Sequence, residues 1–76
     1  MKYIIKTGFK DNGRIKWSYY NGNTYKRLGE YFIDDFFTTQ DKAQRYLDKK
    51  VAEKVAEKLC DKCSNVDVWL LEEVKE

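Results

Sequence analysis

The sequence predicts a small α+β domain. An antiparallel sheet of three to four strands, in the order β-β-β-α-β, is covered on one face by one long helix. Three observations carry this prediction. The first twenty residues alternate with a period of two and are broken by an Asn-Gly pair. Residues 43–63 repeat apolar side chains every four positions, and the closing segment VDVWLLEEV is again rich in β-formers. With 76 residues the chain makes a single domain, 1–76. A chain this short buries only about 60% of the surface its unfolded form exposes, which leaves little room for a deep substrate pocket.

The first strand is KYIIKTGF. Tyr3, Ile5, Thr7 and Phe9 fall on one side, and Lys2, Ile4, Lys6 and Gly8 on the other. KDNG follows, and Asn-Gly suits a type I′ hairpin turn because both central residues need positive φ. In the second strand, RIKWSYY, Ile15, Trp17 and Tyr19 form one row, assigned to the core. Arg14, Lys16, Ser18 and Tyr20 form the other, grouped with Lys2 and Lys6 on a solvated basic face. NGN makes another turn. TYKRLGEYFI reads as one third strand bent at Gly29.

Thr38 and Asp41 resemble a capping box, with Phe37 placed to staple the first turns. The spacing predicts a helix from about residue 39 to 61 or 63. At ~1.5 Å per residue it would be roughly 35 Å long, outrunning a seven-residue strand of about 23 Å. Its apolar residues Ala43, Leu47, Val51, Val55, Leu59 and Cys63 recur every fourth position. Such a stripe drifts by about 40° per step. Either the helix ends early or bends, or its C-terminal half packs on a second copy through Val55, Leu59 and Cys63. Ser64-Asn65 ends the helix. The last strand, 66–74, pairs beside the first, with Val66, Val68 and Leu70 as its inner row and Asp67, Trp69, Leu71 and Glu73 as its outer row.

Composition narrows the function classes. Aromatic residues make up 16% of the chain and charged residues 37%. Disordered segments are poor in the aromatic and β-branched residues that abound here. No apolar run approaches the ~20 residues of a membrane span, and the N-terminal stretch is too short for a secretion signal. The expected location is the cytoplasm, with no membrane partner. Net charge is +2 but uneven: residues 1–28 carry +6, 29–41 carry −4, 42–63 carry +3 and 64–76 carry −3. A basic N-terminal third is a hint about partners.

Few residues offer chemistry. Cys60 and Cys63 form a lone CxxC. Zinc needs four ligands, and with no histidine one chain supplies two. The pair reads as small helix-end residues, or else as an interchain zinc or disulfide site. The carboxylate pairs Asp34-Asp35 and Glu72-Glu73 have adjacent members, which point apart on a strand. No histidine, Gly-rich phosphate loop or activated nucleophile accompanies them, so the chain is expected to be non-enzymatic, with no cofactor and no metal. The remaining candidate is the stretch RIKWSYYNGNTYKR. Its aromatic residues are assigned mainly to the core and its cations to the opposite face. The expected partner-binding residues are Lys6, Lys16, Tyr20, Lys26 and Arg27.

The layout resembles that of small phage and mobile-element proteins of Gram-positive bacteria. The resemblance rests on the opening MKYIIK, the Tyr/Trp-rich hairpin, the DDFFTTQDKAQRYL segment entering a helix, and the apolar strand VDVWLLEEV. It covers most of the chain. It implies an inhibitor or modulator of host machinery that acts by occupying a surface, as anti-restriction and anti-CRISPR proteins do. The leading expectation is therefore a binding protein that blocks a host protein or ribonucleoprotein through the basic sheet face. The alternatives are direct nucleic-acid binding through the same face, and a self-associating structural protein, a homodimer through the C-terminal half of the helix.

Overall fold

The computed structural model describes residues 1–34 and 39–75. The fold is α+β, with five strands in two small antiparallel sheets and one helix packed against the larger. Strands β1 (Lys2–Asp11), β2 (Arg14–Tyr19) and β5 (Val68–Val74) form sheet A in the order β2-β1-β5. Asn12 and Gly13 turn between β1 and β2 with φ of 50° and 78°, the geometry expected of Asn-Gly. This two-residue loop sets Asp11 opposite Arg14, and with it Gly8 opposite Trp17 and Lys6 opposite Tyr19. β5 lies antiparallel on the other edge of β1, with Lys6 opposite Leu70.

TYKRLGEYFI is two strands, not one bent strand. β3 (Thr24–Arg27) and β4 (Glu30–Ile33) pair as a separate hairpin, sheet B. Leu28 and Gly29 form its turn with φ of 52° and 81°. The reversal is the same type of turn as Asn12-Gly13, with Leu28 in the place Asn normally takes.

The helix is also shorter than the sequence predicts. The expected cap Thr38 and staple Phe37 lie outside the described residues. Residues 40–42 make one 3-10 turn, and Ala43 is already extended. Two sets of bonds hold the following residues off the helical path. The backbone of Tyr46 exchanges hydrogen bonds with Tyr3 at 2.8 and 2.9 Å, and Gln44 N–H donates to the Tyr20 carbonyl at 2.9 Å. The Arg45 guanidinium donates to the carbonyls of Gln40 and Ala43 at 2.8 and 2.6 Å. This segment thus occupies the edge of β1 that β2 has left. Helix α1 then runs over Lys49–Lys62, with the Asp48 carboxylate as N-cap accepting from Lys50 N–H at 2.8 Å. Its 14 residues give about 21 Å, close to the length of β5 rather than beyond it.

The buried stripe follows the true helical period. Ala52, Ala56, Leu59 and Cys63 are 0–5% exposed, whereas Leu47 and Val51 are 79% and 47% exposed. The two alanines bring the helix close to sheet A. Ile5, Ile33, Ala56, Leu59, Cys63 and Val66 form the core cluster, with Trp69 and Leu71 packed at its edge. The rows of β5 are therefore the reverse of the expectation: Trp69 and Leu71 face the helix, and Val68 and Leu70 face away.

The Asn65 side chain ties sheet B to the end of α1. Asn65 accepts from Ile33 N–H at 2.9 Å and donates to the Ile33 carbonyl at 3.2 Å. Ser64 N–H donates to the Tyr31 carbonyl at 2.8 Å beside it. Asn65 thereby satisfies both backbone groups of a residue that is only 1% exposed.

Candidate functional site

The β1–β2 register sorts the aromatic residues and the cations differently from the sequence-based assignment. Directly paired residues of antiparallel strands share a face. Lys6, Gly8 and Lys10 therefore stand in one layer with Tyr19, Trp17 and Ile15, and with Leu70 and Val68 from β5. The helix packs on the opposite face, where Ile5 and Leu71 lie. Trp17 and Ile15 are thus not core residues; they are 41% and 42% exposed, and Leu70 is 47% exposed.

Gly8 gives this patch its shape. A Cβ on Gly8 would stand 2.7 Å from Ile15 Cγ2, 2.7 Å from Val68 Cγ2 and 3.0 Å from Trp17 Cζ3. The three side chains close over a bare stretch of backbone and form a continuous apolar surface. Lys6 and Glu72 border it. Lys6 Nζ lies 5.1 Å from the Trp17 ring centroid, 5.9 Å from that of Tyr19 and 3.8 Å from Glu72 Oε1. The Tyr19 hydroxyl donates to both Glu72 oxygens at 3.2 and 3.3 Å. Partial burial, and then the hydrogen bond to Glu72 and its charge, push the Tyr19 phenol above its ordinary range. Lys6 and Tyr19 are thus held by Glu72, while Ile15, Trp17 and Leu70 remain open. At the other end of the face Ile4 is fully buried, so the open half is the one around Gly8.

The five residues expected to bind a partner do not share a surface. Lys6 lies on the helix-free face. Lys16 and Tyr20 belong to the opposite row, and Tyr20 packs against the core cluster. Lys26 and Arg27 are adjacent on β3 and point to opposite sides of sheet B. Lys26 Nζ sits 5.4 Å from the Tyr31 ring, which Lys62 also approaches at 4.2 Å. Arg27 lies on the side where Tyr25 stacks on Phe32 at 5.5 Å.

Of the residues expected to associate with a second copy, Leu59 and Cys63 are buried within the chain's own core and Val55 packs partly buried against it. Cys60 and Cys63 are both free thiols. Burial pushes the Cys63 thiol above its ordinary range, and Cys60 Sγ lies 3.5 Å from the Asp67 carbonyl. Among the described residues no group of three or more His, Cys, Asp or Glu side chains is placed to hold a metal. Glu72 and Glu73 fall on opposite faces of β5. Asp34 accepts from Asn21 Nδ2 at 3.3 Å, and its neighbour Asp35 lies outside the described residues. No helix among the described residues is long and apolar enough to cross a membrane.

Sequence reasoning missed Trp17, Ile15 and Leu70 as surface residues. The signal was present: counting outward from a two-residue Asn-Gly loop puts Trp17 opposite Gly8, in the row of Lys6. Comparison with protein-family models, with characterised proteins and with solved structures finds no match to this chain.

Proposed function

We propose that the chain is a non-enzymatic binding protein that occupies the surface of a host protein or ribonucleoprotein through the helix-free face of sheet A. One observation carries the reading. Ile15 and Trp17 stand exposed around Gly8, Leu70 is exposed on the same face two residues beyond Val68, and Lys6 and Glu72 border them. A contiguous apolar patch with a charged rim and a central tryptophan is the usual anatomy of a protein interface. The resemblance to phage-type proteins makes host machinery, including defence complexes, the partner class to test first. The contact surface is re-centred from the basic residues named by sequence to Trp17, Ile15 and Leu70, with Lys10 at the edge.

A second reading is direct binding of single-stranded nucleic acid. Its support is that Trp17 shares a face with Lys6 and Lys10, so a stacking ring and cations lie together as such binders require. Lys6 is already paired with Glu72, which weakens its pull on phosphate and favours the protein reading. Titrating the chain with single-stranded DNA and RNA at low and near-physiological salt separates the two. Affinity whose logarithm falls linearly with log salt would move the assignment to nucleic acid. Absence of binding at low salt, with capture of a host protein that Trp17→Ser abolishes, is the result expected.

A further inference from the structure

The end of α1 is joined to sheet B through consecutive residues, 62–65. Lys62 Nζ lies 4.2 Å from the Tyr31 ring centroid, and Cys63 makes a parallel bridge with Tyr31. Ser64 N–H donates to the Tyr31 carbonyl at 2.8 Å, and the Asn65 side chain holds both backbone groups of Ile33. The sequence CDKC places one thiol of a pair inside this joint and the other one helical turn before it. Cys63 is 4% exposed within the core cluster. Cys60 packs on the same cluster but is only partly buried, and both thiols are free. A disulfide is tighter than a helical turn. Residues three apart on a helix hold their Cβ atoms about 5–6 Å apart, whereas the bond needs about 3.5–4.5 Å. One of the two residues must therefore move to close it. Cys60 lies inside the helix, but Cys63 is its C-cap. The Cys63 N–H still donates to the Leu59 carbonyl at 2.8 Å, while φ of −93° and ψ of 131° have already left the helix. Cys63 is the movable end, and its displacement pulls on the bridge to Tyr31 and on Ser64 and Asn65 behind it.

We infer that Cys60 and Cys63 form a reversible intrachain disulfide that loosens sheet B from the end of α1, with a small-molecule disulfide such as glutathione disulfide as the oxidant. The Cys60 thiolate, the more accessible of the two, attacks one sulfur of the oxidant and displaces a thiolate. The Cys63 thiolate then attacks Cys60 Sγ in the mixed disulfide and displaces the second. Two electrons pass to the oxidant, and the two protein thiol protons end on the two thiols it becomes. Closing the bond also draws Cys60 Sγ from its place 3.5 Å from the Asp67 carbonyl. A disulfide held away from its preferred geometry is the more easily reduced, which makes the change reversible. The inference does not rest on the docking reading, whose residues on sheet A take no part in the joint.

The test treats the full chain with excess glutathione disulfide and then with excess reduced glutathione. Intact mass reads the bond as the loss of both thiol hydrogens, and amide exchange reads the joint. Expected is an intrachain disulfide that reduced glutathione removes. In the oxidised chain the Ile33 and Ser64 amides, which donate to Asn65 and Tyr31, should exchange about tenfold faster or more, as local opening no longer has to break the joint. The Ile5 and Lys6 amides, in the central strand of sheet A, should keep their rates. Cys60 is only partly buried, so Cys60→Ser keeps the fold, and with the same oxidant its Ile33 and Ser64 amides should stay at the reduced rates. A chain that stays reduced, stops at the glutathione mixed disulfide or links only to other chains overturns the inference. So does an intrachain disulfide that leaves the two amides unchanged, or an acceleration that Cys60→Ser shares.

Discussion

Replacing Asn65 by alanine removes the clamp between sheet B and the end of α1, and the cost can be worked from two bonds. Asn65 Oδ1 accepts from Ile33 N–H at 2.9 Å, and Nδ2 donates to the Ile33 carbonyl at 3.2 Å. Ile33 is 1% exposed, so water does not readily replace either partner. An unmade bond to a buried backbone group costs about 1–3 kcal/mol. Allowing for relaxation of the hairpin, the pair gives a loss of roughly 2–4 kcal/mol. At ~0.05–0.15 kcal/mol per residue the whole domain is worth about 4–11 kcal/mol, so the loss is a large share. Urea unfolding followed by tryptophan emission is the assay. Trp17 and Trp69 both lie in sheet A, so the signal reports the larger sheet and not the hairpin itself. Ile33 belongs to the shared core cluster, and loosening it should therefore lower the stability of sheet A too. The midpoint should fall with an unchanged slope, and Tm should drop by roughly 10–25 °C. Asn65→Asp keeps the acceptor and loses the donor, and should fall between. A loss under about 0.5 kcal/mol, the usual range of a surface substitution, would refute the reasoning.

Three further outcomes follow from the same geometry. Gly8→Ala drives a methyl to 2.7 Å from two side chains and should destabilise by about 1–3 kcal/mol in thermal unfolding, since overpacking costs this much. Leu28→Asn should stabilise by about 1 kcal/mol in the same assay, because Leu28 is 93% exposed at φ 52° and Asn tolerates that conformation better. Burial, and then the neighbouring Tyr20, push the Tyr46 phenol up to about 12. The unfolded chain ionises first, near pH 10, so Tyr46's contribution is full below that pH and is lost between about pH 10 and 12. Tyr46→Phe should flatten the fall in urea midpoint across that window.

The class of fold was legible because its signals are local. Alternation in β1 and β2, Asn12-Gly13 and the apolar closing strand each need only neighbouring residues to be read. The errors arose where distant groups decide. Leu28-Gly29 reverses the chain although leucine is a poor turn residue, so sheet B was hidden in one apparent strand. Residues 43–48 have helical spacing, but the backbone of Tyr3 and the carbonyls held by Arg45 take them out of the helix. The site failed for a different reason. One row of β2 holds Ile15, Trp17 and Tyr19 and the other Arg14, Lys16 and Ser18, and assigning the apolar row to the core is the ordinary inference. Here the core side of sheet A is filled by the helix, by Trp69 and by Leu71. The row of Trp17 instead closes over Gly8, whose missing side chain cannot be read as a docking surface from one strand alone.

The docking claim is tested most directly by capture from host lysate after nuclease treatment, with the wild-type chain and a Trp17→Ser/Leu70→Ser variant compared side by side. Both positions are exposed, and circular dichroism checks that the variant is folded. A defined host protein held by the wild type and lost with the folded variant is the result expected. The same protein retained equally by both would contradict the assignment of the helix-free face as the contact surface.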